Sequence, residues 1–418
     1  MAFVTIGGLI TLFLAVAMLF TGTLNTLFTK YQDMRVVKGV GHFPPSPFEH
    51  PFFQTACMFV GEFACLFIYL LTTTALFKSC SAAIQSKFVK KVPETEVLDV
   101  VTTTTYVGDA AVSETTVHKT DERMSLLLKE QETKEKQARY TNPLLFAIPS
   151  VCDLLGTTLM NVGLFYTDAS VYQMLRGILV VFNAILAIIF LKQKLYPHHF
   201  IGIILIVIGT GLVGLSSYLY KSDSSHAARN PVLGNALVIA AQLIAAVMMI
   251  TEEKILTNYP AQPLQVVGWE GFWGLSFVSI MLFVLYWIPG GDAGRVENSV
   301  HAFAQLGRDG KLLTAVLGSV CSIAFFNFFG ISITQRVSAT TRAAIDSCRT
   351  FFIWMVSLAI GWEKFNFLQL GGFIIVVTGT FLFNEVIRIP KYHAWYEAKK
   401  ADDEERKAEK KLLKRRKI

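Results

Sequence analysis

The chain has 418 residues, of which 53% are hydrophobic and only 17% charged, with a net charge of +7. Soluble globular domains carry about 25% charged residues, so composition sets this chain apart from them and points to a membrane. The basic excess does not indicate nucleic acid. Much of it lies in a C-terminal run ending KKLLKRRKI with no aromatic residues interleaved, and such a run beside a span meets anionic headgroups or water.

A helix needs about 20 residues to cross about 30 Å of hydrocarbon. Ten apolar runs meet that length: 3–28, 52–76, 144–166, 168–191, 197–219, 231–254, 264–288, 312–334, 338–360 and 366–387. None alternates with period two as a barrel strand would. The predicted fold is an all-α polytopic membrane protein with ten transmembrane helices. The first run lacks a basic leader and a small-residue cleavage site, and is expected to be retained as a helix.

Residues 77–143 interrupt the series. They are rich in Thr, Lys and Glu and are expected to form a cytosolic, largely disordered insert. Within them Glu122, Leu126 and Leu127 make an acidic dileucine pattern that sorting adaptors read. Residues 388–418 form a basic tail. The insert carries ten Lys and Arg and the tail twelve, which places both termini in the cytosol.

Residues 168–211 repeat as residues 338–381. At a shift of 170, Ala169 falls on Ala339, Phe182 on Phe352, Gly202 on Gly372, Gly209 on Gly379 and Thr210 on Thr380. Five spans per copy is an odd number, so the second copy is expected to be inverted. Residues 1–76 then hold helices 1 and 2 of repeat one, residues 144–219 its helices 3–5, and residues 220–387 repeat two, helices 6–10. Inverted repeats put a binding site near the midplane, where the halves meet.

No other chemistry competes with that reading. The six cysteines show no CxxC or zinc spacing, so neither a metal nor another cofactor is expected. Gly209, Gly211 and Gly214 match GxGxxG, but inside a span, where a dinucleotide fold has no place. Close helix packing is the better reading. No paired groups for nucleophilic or metal catalysis are found, so an enzyme is not expected.

Ionisable groups inside spans are costly, by about 2.5–3.5 kcal/mol each even on the lenient insertion scale. Arg342, Asp346 and Arg349 share one face of the ninth span, and Asp346 is able to pair with either arginine, leaving one guanidinium for a ligand. Gln173 and Arg176 occupy the fourth span, with Arg176 aligned on Asp346. Glu62 and Glu270 lie mid-span in the same element of the two copies, and a carboxylate kept from water can carry a proton. Asp153 on the third span and Asn327 on the eighth complete the candidate substrate site. The alternative is a network that only ties helices together. Glu252 and Glu253, at the end of the sixth span, are expected at the interface, and His198 and His199 in a solvated loop.

The stretches FQTACMFVGEFACL, SVYQMLRG, VGWEGFWG, SIAFFNFFGISIT and SATTRAAIDSCRT resemble the drug/metabolite transporter superfamily with its EamA-type repeats, and within it the F subfamily of solute carrier family 35. The resemblance implies a nucleotide-sugar-transporter-like secondary transporter of a small organic metabolite. It would work by alternating access, with proton coupling a further expectation, in a lysosomal or late endosomal membrane, with the Golgi as alternative. Expected partners are a polar or anionic small molecule, the lipid bilayer, sorting adaptors and a second copy of the chain, but no nucleic acid. The superfamily's glutamate after the fourth helix of each repeat is kept at Glu363 and replaced by Gln193 in the first copy. The competing function is a non-transporting scaffold or regulator that binds proteins through its cytosolic segments.

Overall fold

The computed structural model describes residues 6–37, 45–48, 50–73, 142–166, 172, 175–193, 195–219, 231–259, 261–290, 295–362, 365–384 and 386. The insert with its dileucine pattern, the basic tail, Gln173 and Glu363 lie outside them.

The helices are α1 (Ile6–Met34), α2 (Pro51–Thr73), α3 (Ala147–Tyr166), α4 (Ile178–Phe190), α5 (Pro197–Leu219) and α6 (Pro231–Asn258), followed by α7 (Pro263–Trp287), α8 (Ser299–Arg308), α9 (Gly310–Arg336), α10 (Ala339–Ser347), α11 (Arg349–Ile360) and α12 (Phe367–Phe383). Among the described residues, eight helical segments are long and apolar enough to cross a membrane, with α10 and α11 counted together. The two remaining predicted spans appear as the shorter apolar helices α4 and α12. Many large apolar side chains point outward, among them Phe13, Phe67, Ile204, Phe283 and Ile374, as lipid-facing surfaces require.

Proline marks many of the starts. Pro51, Pro197 and Pro231 open α2, α5 and α6, and Pro263 opens α7. There the missing N–H has no intrahelical partner to lose. Pro149 is the third residue of α3 and sits in its first turn.

The most extensive helix pairings are α5 with α12, α2 with α7, α3 with α6, and α1 with α9. Small residues set the first two. A Cβ on Gly202 would lie 2.9 Å from the Gly379 carbonyl oxygen, and one on Gly209 2.7 Å from that of Gly372. Gly268 and Gly271 of α7 lie against the backbone of Leu66 and of Glu62–Phe63 on α2.

The ninth predicted span is broken. The Cys348 N–H reaches the Ile345 carbonyl at 3.0 Å, and the Phe351 N–H reaches that of Cys348 at 3.1 Å. These i to i−3 bonds tighten the helix locally, a feature that often marks a hinge. In the repeat register Cys348 falls beside Gly177, the turn residue that precedes α4. Thr210 of α5 packs where a Gly177 side chain would be, while its counterpart Thr380 donates to the Ala344 carbonyl at 3.2 Å.

One end of the bundle carries a cap that periodicity does not show. Val36–Val37 (β1) pairs antiparallel with Ser46–Pro47 (β2) between α1 and α2. Val37 and Phe48, from and beside this ladder, share a cluster with Phe53 of α2, Ala302 of the amphipathic α8, and Leu312 and Val316 of α9. Arg35 donates from Nε to Asp309 Oδ2 at 2.7 Å, and that hydrogen bond holds the Asp309 carboxyl below the usual aspartate range.

Candidate functional site

Most of the sequence-predicted residues converge where α2, α3, α6, α7, α9 and α10 face one another. Glu62 is 3% exposed, and Asn327 donates its side-chain amide to Glu62 Oε1. Asp153 accepts from Thr157 Oγ1 at 3.4 Å. Glu270 is buried and its Oε1 has no hydrogen-bond partner. These three carboxylates and Glu252 lie within electrostatic reach of one another, and of Arg342.

Arg342 is where the structure departs from expectation. Its Nη1 donates to Glu252 Oε2 at 2.6 Å, and both side chains are under 5% exposed. Asp346 pairs instead with Arg349, at 3.2 Å. Sequence spacing left one guanidinium of the ninth span free; both are matched. Glu252 and Glu253, expected at the interface, are buried within the protein. A carboxylate carried that far from water requires a cation or several donors, and α10 brings both. Glu253 accepts from the Ala339 N–H at 2.6 Å, at the start of α10, and from Gln193 Nε2. Ser338 caps the same helix end, accepting from the Thr341 N–H at 3.1 Å.

The Gln193 contact explains the residue that breaks the repeat pattern. An amide can donate to Glu253, and a carboxylate cannot. Gln193→Glu is expected to set two acids against each other at the joint of α4, α6 and α10. The expected loss is about 1–3 kcal/mol, read as a lower melting temperature of the detergent-solubilised protein at pH 7.5 that recovers at pH 5. An unchanged melting temperature refutes the joint.

A second charged group lies beside the first. Arg349 is 9% exposed and stacks over the Phe326 ring with its guanidinium carbon 5.0 Å from the centroid. Gly22 of α1 makes this possible, since a Cβ there would meet the Phe326 ring at 2.7 Å and Arg349 Cδ at 2.9 Å. Gly330 does the same for Arg342, whose Nε would lie 2.6 Å from a Cβ. Arg176 and Tyr172 come within electrostatic reach of Arg349, as does Arg342. Asp346 Oδ1 and Arg342 Nε have no hydrogen-bond partner. The arrangement is an arginine-bearing pole against a carboxylate-rich pole, both lined by helices from each half of the chain.

Gln242, also mid-span, donates to Met160 Sδ at 3.3 Å and serves α3–α6 packing. His198 is buried at 6% exposure, and the His199 ring packs edge-on against Phe383, 5.0 Å between centroids. The expected solvated loop is therefore the first turn of α5. Among the described residues no cluster of His, Cys, Asp and Glu is arranged to hold a metal ion, and the described cysteines are free.

Apolar helices of membrane-crossing length make this a polytopic, predominantly helical membrane protein. The chain belongs to the UAA transporter family, whose sequence profile matches residues 124–387. It is 38% identical over 382 residues to human solute carrier family 35 member F6, covering 90% of this chain and 89% of that one. An uncharacterized protein of Schizosaccharomyces pombe is 36% identical over 248 residues, 58% of this chain and 75% of its own. CMP-sialic acid transporter 2 of Oryza sativa subsp. indica is 22% identical over 160 residues, 38% and 43% of the two chains.

Proposed function

We propose that the protein is a secondary transporter that moves a small polar organic metabolite through a site between two inverted five-helix repeats. The observation that carries this reading is the pair of buried charged poles beside helices broken at matching positions of the repeat. The pairing of helices supports the inversion. Gly202 meets Gly379 and Gly209 meets Gly372. A shift of 170 turns the first contact into the second, as a two-fold relation between the repeats demands. Numbering the spans one to ten, the α3–α6 and α1–α9 pairings are spans 3 with 6 and 8 with 1, and a shift of five exchanges them.

Substrate is held near Arg176, Arg349 and Asp346 at one pole and Glu62, Glu270, Asp153 and Asn327 at the other, with Gln173 on the segment before α4. Arg342, bound to Glu252 through Nη1 with its Nε unpartnered, stands beside the carboxylate pole. A guanidinium matches carboxylate or phosphate oxygens with paired hydrogen bonds, so anionic or zwitterionic metabolites fit. The name of the rice relative makes nucleotide sugars the first class to test. Glu270 and Asp153, with no cation bonded to them, are the groups suited to carry protons. The basic tail and insert favour cytosolic termini. The dileucine pattern favours an endolysosomal membrane, with the Golgi as the other candidate.

Reconstituted protein is expected to take up an organic anion into liposomes. Arg349→Gln should reduce that uptake by about ten- to a hundredfold, the value of a charge-assisted hydrogen bond, without loss of folded protein. Full uptake by Arg349→Gln overturns the site. Uptake indifferent to an imposed pH gradient removes the proton coupling and leaves the rest.

A further inference from the structure

Helix α8 turns its largest apolar side chains outward and its polar ones inward. His301 and Gln305 are buried, and Gln305 donates from Nε2 to Ser46 Oγ at 3.2 Å. Val300 and Phe303 are each 65% exposed. At about 3.6 residues per turn, Val300, Phe303, Ala304 and Gly307 form one stripe, opposite His301, Ala302 and Gln305. A helix facing water presents polar residues outward and apolar ones to the core, so the outer stripe of α8 is not one that water selects. We propose that α8 is an interfacial helix, seated by Val300 and Phe303 in the headgroup–acyl boundary of the lipid leaflet at the α1–α2 end of the bundle.

Three neighbours set the depth of α8. The Phe303 ring packs edge-on against Phe53, 4.9 Å between centroids, and Phe53 belongs to the first turn of the span α2. Ala302 shares a cluster with Leu312 and Val316, from the first two turns of the span α9. The span α7 leads into this connection, and its exposed stripe of Ile280, Phe283, Val284 and Trp287 continues to its last residue. A tryptophan at the end of a span marks the lipid–water boundary. The helix is thus level with the ends of three spans.

The backbone turns α8 away from the axis of α9. Asp309, the single residue between the two helices, is extended, with φ −121° and ψ 100°, and such backbone does not continue a helix. Asp309 Oδ1 accepts from the Lys311 and Leu312 N–H groups, and Oδ2 accepts from Arg35 Nε. These bonds hold the elbow. Beyond it, Leu313 and Leu317 of α9 are exposed again. The outer face of α8 is therefore bracketed along the chain by the lipid-facing sides of α7 and α9. Arg308 and Lys311 are exposed at the elbow, where long basic side chains reach headgroup phosphates. Two outward apolar side chains are little for a protein interface, which needs about 1,000 Å². They suffice to seat a helix whose other side is already packed on two spans, since an interfacial helix immerses only one face.

Two measurements on the full-length protein in phosphatidylcholine nanodiscs test this without any transport substrate. The first uses the native chain and a phosphatidylcholine with a diazirine close to its glycerol backbone. Tryptic cleavage after Arg295 and Arg308 isolates residues 296–308, and after illumination this peptide should carry the lipid adduct, as should the exposed stripe of α7. The second replaces Phe303 with a genetically encoded nitroxide amino acid, because the chain has cysteines of its own. Collision of the nitroxide with oxygen, which partitions into lipid, should exceed collision with a water-soluble nickel chelate. If that variant does not fold, the nitroxide goes at Val300. A 296–308 peptide without adduct beside a labelled α7 overturns the proposal. A nitroxide that favours the nickel chelate puts the stripe in water, and one shielded from both reagents puts it against protein, such as a second copy of the chain; either result overturns the lipid seat and leaves the transport reading standing.

Discussion

Arg342→Ala is expected to destabilise the protein by about 3–5 kcal/mol, the usual effect of removing one partner from a buried ion pair. Arg342 is 3% exposed, and its partner Glu252 2%. The loss is compounded by position. Glu62, Asp153 and Glu270 all feel the Arg342 charge, so the variant leaves four carboxylates facing one another with no cation bonded among them. Melting of the detergent-solubilised protein by intrinsic fluorescence should show a fall of several degrees at pH 7.5. The fall should shrink at acid pH, where protons replace the guanidinium. Glu252→Gln should cost less, because the amide still accepts from Arg342 Nη1. A double-mutant cycle between Arg342→Ala and Glu252→Gln should return a coupling within the range of about 0.5–3 kcal/mol for directly bonded groups. Additive single effects refute the pairing.

That pair also marks what the sequence could and could not convey. Ionisable residues in apolar runs stand out because hydrocarbon makes them expensive, so Glu62, Glu270, Arg342 and Arg349 were visible from composition alone. Their partners were not. Glu252 and Arg342 are 90 positions apart, and nothing local says which of two nearby acids an arginine will meet. The spacing let Asp346 pair with either Arg342 or Arg349, and the structure has it on Arg349, across the 3-10 turn at Cys348. The apolar pattern runs through that turn without interruption, so the break left no trace. Glu252 and Glu253 look interfacial because they end an apolar run, yet α10 begins beside them and supplies N–H and guanidinium donors. The contacts of His50 with Glu297 and His301 are equally hidden, since segments about 250 residues apart create them and α8 is too short and too polar to register as a span. The repeat was legible because both copies keep small residues where backbones touch, at Gly202 and Gly209 and at Gly372 and Gly379.

The run Gly209, Gly211 and Gly214 provides the sharpest test of that last point, because its glycines differ in what surrounds them. A Cβ on Gly209 would lie 2.7 Å from the Gly372 carbonyl oxygen and 2.8 Å from the Val376 nitrogen. Both are backbone atoms of α12 and cannot move aside as a side-chain tip would. Around Gly211 nothing lies within 4 Å. Gly211→Ala should therefore stabilise the helix by up to about 1 kcal/mol through propensity alone, while Gly209→Ala should destabilise the protein by about 1–3 kcal/mol through overpacking. A nucleotide-binding role for the run would make both positions matter to ligand and neither to the α12 contact. The repeat adds a further condition. Gly379 is the counterpart of Gly209, and its Cβ would meet the Gly202 carbonyl oxygen at 2.9 Å and the Ile206 nitrogen at 3.0 Å. If α5 and α12 cross on a two-fold axis, Gly379→Ala costs about as much as Gly209→Ala, and the pair together costs less than the sum, since either change alone already parts the same two helices. Equal melting temperatures for the Gly209 and Gly211 variants would remove the crossing as the reason for these glycines, and a harmless Gly379→Ala would remove the symmetry.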